Sequence, residues 1–275
     1  MIVIAEKLNG SIPSCAKAIA AKDEAYIKDM AKRQADAGAT FIDACSSVKD
    51  GEFEALTWML DLIMEATDTP ISVDSPDVQV CIDAMKYVAD KGGKPGLFNS
   101  VSCEGGKLDI AFPILASDEF KNWDVMALLC DDTGIPKTAA KRIEVFDMVM
   151  DAAAKYGIAD SRIHIDPLIE MLCTTDDEEG ISMVLEVMAH IKNTHPEVHI
   201  SGAVSNISFN LPARKLVNQA FVVLAMNAGM DSGVLDPLSQ DLMGVIFAAE
   251  AMLGKDDFCA EYTAAYRQGI FGVKK

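Results

Sequence analysis

The sequence predicts a single parallel (β/α)8 barrel, an α/β TIM barrel, spanning residues 1–275. Three observations lead there. One phrase recurs eight times: a short run rich in Val, Ile and Leu ends in Asp, Asn or Glu, and a helical pattern follows. From Asp43 to Asp236 these polar ends lie 25 to 40 residues apart, about what a strand, a covering helix and two loops need. The runs are apolar at successive positions rather than alternate ones, as in strands covered on both faces. A doubly wound open sheet is the competing architecture. The count of eight and the lack of a Gly-x-Gly-x-x-Gly turn favour the barrel.

In chain order, strands are expected over residues 2–5, 40–44, 70–73, 96–98, 125–130, 163–165, 200–205 and 232–235. Their β-branched and aliphatic residues suit a pleated, covered surface. Helices are expected over 23–38, 52–66, 76–91, 138–156, 178–193, 214–229 and 239–253, with a shorter one over 108–115. The first of these closes on Gly38, a residue that accepts the left-handed conformation common after a helix. Residues 257–271 read as a last helix or tail. No linker, repeat or low-complexity tract divides the chain.

Half of the residues are hydrophobic, enough for one large core. The net charge of −18 argues against nucleic acid and against anionic membrane surfaces as partners. Seven cysteines occur without a Cys-x-x-Cys pair, so zinc-ribbon and iron–sulfur spacing are absent and reduced thiols in the cytoplasm are expected. The N-terminus reads as a strand rather than a signal peptide, since it lacks a basic region and turns acidic at Glu6. The longest apolar stretch, 216–230, is interrupted by Asn218, Gln219 and Asn227, and no membrane span is expected.

In such a barrel the C-terminal strand ends converge on one mouth. Here that mouth holds Glu6, Asn9, Asp43, Asp74, Asn99, Asp131, Asp166, Asn206 and Asp236. Lys and Arg are nearly missing from this set, and Gly233 is the only glycine at the eighth strand, so a phosphosugar is disfavoured. No His shows metal-ligand spacing, and no bound metal is expected. His164 and His199 begin strands at the far end and read as structural. A ring of carboxylates and carboxamides can hold a hard cation through oxygens, or it can read a flat aminopyrimidinone. The asparagines favour the second, because each offers both a donor and an acceptor. Asp43 is kept among the candidate binding residues, although its place at the barrel top favours a structural role in the mouth over direct contact with a ligand. Asp131 and Asp132 read as loop residues, Asp132 capping the turn before Pro136, and Cys45 as a small buried residue.

These residues also resemble a family. Glu6-Lys-Leu-Asn9-Gly10, Val73-Asp74-Ser75, Asn99-Ser100, Asp132-Thr-Gly-Ile-Pro136, Ile165-Asp166-Pro-Leu-Ile169 and Val204-Ser-Asn206-Ile-Ser-Phe-Asn210 are similar to the pterin-binding barrels, and most closely to the methyltetrahydrofolate–corrinoid protein methyltransferases. Each motif alone is weak; the ordered set, one per strand, is specific. Cys45 and the Asp131-Asp132 pair depart from the family pattern. The resemblance implies a homodimeric barrel that binds the pterin in its mouth. It implies that Asp74, Asn99 and Asp166 hydrogen-bond the ring; Glu6, Asp43 and Ser205 are further candidate binding residues by their place at the strand ends. It places Asn206 beside N5, the atom that carries the methyl group, as the catalytic residue.

The activity so implied moves a methyl group between N5 of tetrahydrofolate and the cobalt of a corrinoid. This chain lacks a corrinoid signature such as Asp-x-His-x-x-Gly, so the corrinoid is expected on a partner protein. Cobalt is the nucleophile in one direction, so no Ser, Cys or Lys nucleophile is required. Dihydropteroate synthase is the alternative enzyme. It expects a Ser-x-Arg near the last strands and a catalytic lysine, whereas Ala213-Arg214-Lys215 stands in another frame. A non-catalytic folate-binding protein is the alternative outside enzymes.

Overall fold

The computed structural model describes residues 1–175 and 180–272. Eight parallel strands form one sheet: β1 (Ile2–Asn9), β2 (Phe41–Cys45), β3 (Ile71–Asp74), β4 (Leu97–Ser102), β5 (Asp124–Leu128), β6 (Ile163–Asp166), β7 (His199–Ile200) and β8 (Ser232–Leu235). Neighbours in sequence are neighbours in the sheet, and β1 pairs with β8. The barrel closes between β7 and β8 through Asp231 N to Ile200 O (3.2 Å) and Val234 N to Gly202 O (3.0 Å). The expected (β/α)8 barrel is therefore the observed one.

Ten helices among the described residues complete the fold: α1 (Pro13–Ala21), α2 (Glu24–Asp36), α3 (Glu52–Ala66), α4 (Val78–Asp90), α5 (Lys107–Leu115), α6 (Ala139–Tyr156), α7 (Ile181–Thr194), α8 (Arg214–Asn227), α9 (Gln240–Met252) and α10 (Ala260–Gln268). Local chemistry sets several ends. Asp23, Asp77 and Thr138 each cap a helix by accepting backbone N–H groups through the side chain. Gly157 ends α6 in the left-handed region, at φ 77°.

The structure departs from the sequence reading at six places. β1 runs on to Asn9 and β4 to Ser102, past their expected ends at residues 5 and 98. α1 was not anticipated, although Pro13 opens it at the position where a missing N–H costs nothing. β5 stops at Leu128, before Cys130. β7 has only two residues, and the expected run to Ser205 becomes a 3-10 turn, Val204–Ser208. The expected helix over 178–193 begins at Ile181; residues 178 and 179 lie outside the described residues.

The core has two parts. The larger lies between sheet and helices. The smaller plugs the barrel interior with Ile4, Phe41, Leu97 and Met126. Side chains in a strand alternate between faces. Two residues along from each plug side chain, the same inward face carries Glu6 on β1, Asp43 on β2, Asn99 on β4 and Leu128 on β5. An apolar plug thus forms the floor of a mostly polar mouth.

Candidate functional site

The mouth residues fall into three groups. On β2, β3 and β4, Asp43 is 2% exposed, and its Oδ1 accepts from Ser72 Oγ (2.6 Å) and Asn99 Nδ2 (3.2 Å). Asp74 ends β3, and its register partner Asn99 lies midway along β4. The Cys45 thiol faces Asp74 and lies 3.2 Å from Ser47 Oγ. Burial raises the pKa of Asp74 well above the carboxylate range, and the Asp43 charge adds to it. Burial likewise raises Asp43, against the bonds from Ser72 and Asn99.

On the opposite side, Asp166 ends β6 and accepts from Leu168 N (2.7 Å). Burial pushes its carboxyl up to about 6, opposed by the Leu168 bond and the Arg142 charge. Arg142, fully buried on α6, donates to the carbonyls of Pro136, Pro167 and Leu168 and to Glu170 Oε2 (2.9 Å). It ties the loops after β5 and β6 together beside Asp166.

The third group joins the first strand to the seventh unit. Ser205 Oγ donates to Glu6 Oε2 (3.2 Å). Burial raises the Glu6 pKa, with Lys7 opposing it. Asn206 follows in the 3-10 turn. Its backbone is fixed by Asn206 N to Ala203 O and Phe209 N to Asn206 O, both 3.1 Å. Its side-chain amide has no hydrogen-bond partner among the described residues and is partly exposed.

A cavity of about 340 Å³ flanks this third group, lined by Glu6, Ser205, Arg214, Lys215, Asn218 and Asp236. Asp74, Asn99 and Asp166 stand outside it, so the mouth has a polar ring and a lateral recess. Arg214 donates to Ser208 Oγ (3.0 Å) and Ser205 O (2.9 Å) and stacks 4.4 Å from the Phe209 ring centroid. The Asn218 Oδ1 is buried without a partner among the described residues. Among the described residues, no group of three or more His, Cys, Asp or Glu side chains could hold a metal ion.

The family model for pterin-binding enzymes matches residues 8–236. The chain belongs to this family. It is 46% identical to the methylcorrinoid:tetrahydrofolate methyltransferase of Eubacterium limosum, over 99% of this chain and 98% of that one. It is 28% identical over 86% of its length to methionine synthase of Mycobacterium tuberculosis, of which the match covers 20%. Two solved dihydropteroate synthases share the fold at 18% identity. That of Vibrio fischeri has a TM-score of 0.66, covering 92% of this chain and 93% of its own. That of Xanthomonas albilineans has 0.61, covering 92% of each. At that identity the likeness speaks to architecture, and the near full-length relative is a methyltransferase.

As a pterin-binding enzyme, the protein has site features that the sequence left unread. Ser72 lies two residues before Asp74 in a strand, so the period of two could have placed it on the same inward face. Arg142 sits inside an ordinary helical pattern and carried no signal. The cations at the rim were also missed. Lys7 pairs with Asp236 at 2.9 Å, and Arg214 folds back onto the turn that carries Asn206. Asp132 was read as capping its own turn. Instead, its Oδ1 accepts from Gly105 N (2.8 Å), tying the loop after β5 to the loop after β4. Asp131 does cap a turn, accepting from Thr133 N (2.9 Å). Cys45 is buried, as expected of a small packing residue.

Proposed function

We propose that the protein is a methyltransferase moving a methyl group between N5 of tetrahydrofolate and the cobalt of a corrinoid on a separate protein, in one-carbon metabolism. The observation that carries this reading is the 46% identity over 99% of the chain with a methyltransferase named for that reaction. The relative's name also supports the direction from methylcorrinoid to tetrahydrofolate. In that direction N5 uses its lone pair to take the methyl, the cobalt–carbon bond breaks with its electrons staying on the metal, and N5 then loses a proton.

The mouth supplies what this chemistry needs. Asp74, Asn99 and Asp166 offer acceptors and an amide to a ring rich in N–H groups and carbonyls. A neutral amide at Asn206 neither gives nor takes a full proton at neutral pH. Its two ends can follow the changing charge on N5, so it binds best when that charge is in transition. The proton leaves through the polar ring, with Glu6 and Ser205 beside Asn206. Holding the ring against an open mouth accounts for much of the rate, because two large reactants must meet in one orientation. Arg214 and Lys215 give the recess a charge suited to the carboxylate tail of a folate.

The reading includes a homodimer in the cytoplasm. Leu216, Val223 and Leu224, exposed along α8, support a self-associating face. Sedimentation of the purified protein would give twice the chain mass; a single-chain mass would overturn that part. The activity is tested by mixing the protein with methylcobalamin and tetrahydrofolate under anaerobic conditions and following methyltetrahydrofolate. The reverse mixture, with photoreduced cobalamin, should yield methylcobalamin. Binding of tetrahydrofolate without transfer in either direction, also with corrinoid proteins supplied, would favour a folate carrier. Condensation of a pterin pyrophosphate with p-aminobenzoate would favour the synthase.

A further inference from the structure

Asp43 occupies a place that a direct ligand does not need. Cys45 and Asp74 end its own strand and the next, and Asn99 on β4 is level with Asp74 in the register. Asp43 and its register partner Ser72 lie one inward position lower. At 2% exposure it has almost no surface to offer a ligand. Its Oδ1 is already used by Ser72 and by Asn99.

The bond to Asn99 decides more than packing. An amide side chain has one acceptor end and one donor end, and electron density alone rarely tells them apart. Here chemistry tells them apart. Turning the Asn99 oxygen toward Asp43 would set two acceptors against each other, while Nδ2 toward Asp43 makes a bond. The Asn99 oxygen is then the end left for the mouth. We propose that Asp43 is a positioning residue that locks the Asn99 amide with its oxygen toward the mouth, so that the site selects a ligand edge bearing an N–H donor. Ser72 supports the lock by holding the same carboxylate oxygen. The inference rests on the pterin-binding reading of the mouth.

A double-mutant cycle tests it, using calorimetric titration of tetrahydrofolate into the full-length protein. Asn99→Ala and the near-isosteric Asp43→Leu, which removes the acceptor that orients Asn99, should each weaken binding by about tenfold, because each loses one directed bond to the ligand. The double variant should bind within about twofold of Asn99→Ala alone, since Asp43 then has nothing left to orient. Independent, multiplying losses would overturn the proposal, as would an Asp43→Leu variant that binds like wild type. Should Asp43→Leu fail to fold, Ser72→Ala offers a milder route. It should weaken binding by about threefold in the wild-type background and not in the Asn99→Ala background. The same loss in both backgrounds, or none in either, would sink the idea. In steady state Asp43→Leu should raise KM for tetrahydrofolate while kcat stays within about twofold, the pattern of an interaction equal in ground and transition states. Wild-type protein that fails to bind tetrahydrofolate would instead refute the underlying functional reading.

Discussion

The two ends of the barrel bury titratable side chains in opposite ways. Below the strands, Asp231 accepts from Lys192 Nζ (2.8 Å), His199 Nδ1 (3.2 Å) and Ile200 N (2.9 Å). Burial works against its charge, but these partners prevail and its carboxyl falls to about 2. His164 is held there between Ser232 Oγ (3.0 Å) and Asp124 (3.5 Å). Above the strands, Asp43, Asp74 and Asp166 form no ion pair among the described residues, and burial raises all three. At the lower end the Asp231 charge is matched by a lysine, a histidine and a backbone amide, which contributes stability. The other end holds acceptors in a conformation that costs stability until something binds. That asymmetry marks the mouth as the working end without reference to any relative.

The largest effect should come from Asn206, whose side-chain amide has no partner among the described residues. Asn206→Ala is expected to cut turnover by about a hundredfold, as loss of a single preorganised polar group does. Its backbone bonds to Ala203 and Phe209 need no side chain, so the turn should persist. Tetrahydrofolate affinity should stay within about threefold of wild type. Stopped-flow turnover beside calorimetric binding separates the two. Equal losses in both, or none, would remove Asn206 from its assigned role.

The lower end should respond in stability instead. Asp231→Ala leaves Lys192 and His199 without their shared carboxylate and frees the Ile200 amide. The cost should be about 2–3 kcal/mol in denaturant unfolding. Activity per folded molecule should be unchanged, since Asp231 is at the end away from the mouth. Loss of turnover in the folded protein would mean that the two ends are coupled.

The same contrast sets opposite responses to pH. Asp166 titrates at about 6 in the folded chain against an ordinary 3.8. The folded state therefore takes up its proton first, and stability present below pH 3.8 is lost as pH rises through 6. Asp231 titrates at about 2 against 3.8. Its contribution is present above pH 3.8 and lost as pH falls through 2. Asp166→Asn should raise stability at pH 7 by about 1–2 kcal/mol and lower tetrahydrofolate affinity by about tenfold. Unfolding curves at pH 4 and pH 7 test the first half. A variant less stable than wild type at both would contradict the view that the mouth is held at a cost.

How far the sequence revealed this follows from which signals are local. The barrel was legible because strand, polar end and helix repeat along the chain, and each repeat carries its own hydrophobic pattern. Asp74, Asn99 and Asp166 were legible because a polar residue ending an apolar run stands out. The 3-10 turn at Asn206 was not. Ile200 to Ser205 has strand-like composition, but Gly202 lies at φ 156° and a Cβ there would meet Ile169 Cδ1 at 2.4 Å. That close approach is tertiary, so the early end of β7 was hidden. Arg142 was hidden for the same reason. Its partners are carbonyls on two other segments, and a carbonyl has no residue letter.

The smallest effect separates a mouth residue that faces a ligand from one that only packs beside it. Cys45 lies against Asp74 and Ser47, where a nucleophile could in principle stand. Burial pushes its thiol pKa up, and the neighbouring Asp74 adds to the shift. The thiol is therefore neutral at working pH and a poor nucleophile. Ser at this position has nearly the same shape and donates a stronger hydrogen bond to Asp74. Cys45→Ser should change turnover by less than about twofold and leave the pH profile in place. An abolished turnover would put covalent chemistry at Cys45 and break the division between paired and ligand-facing groups that the rest of the mouth supports.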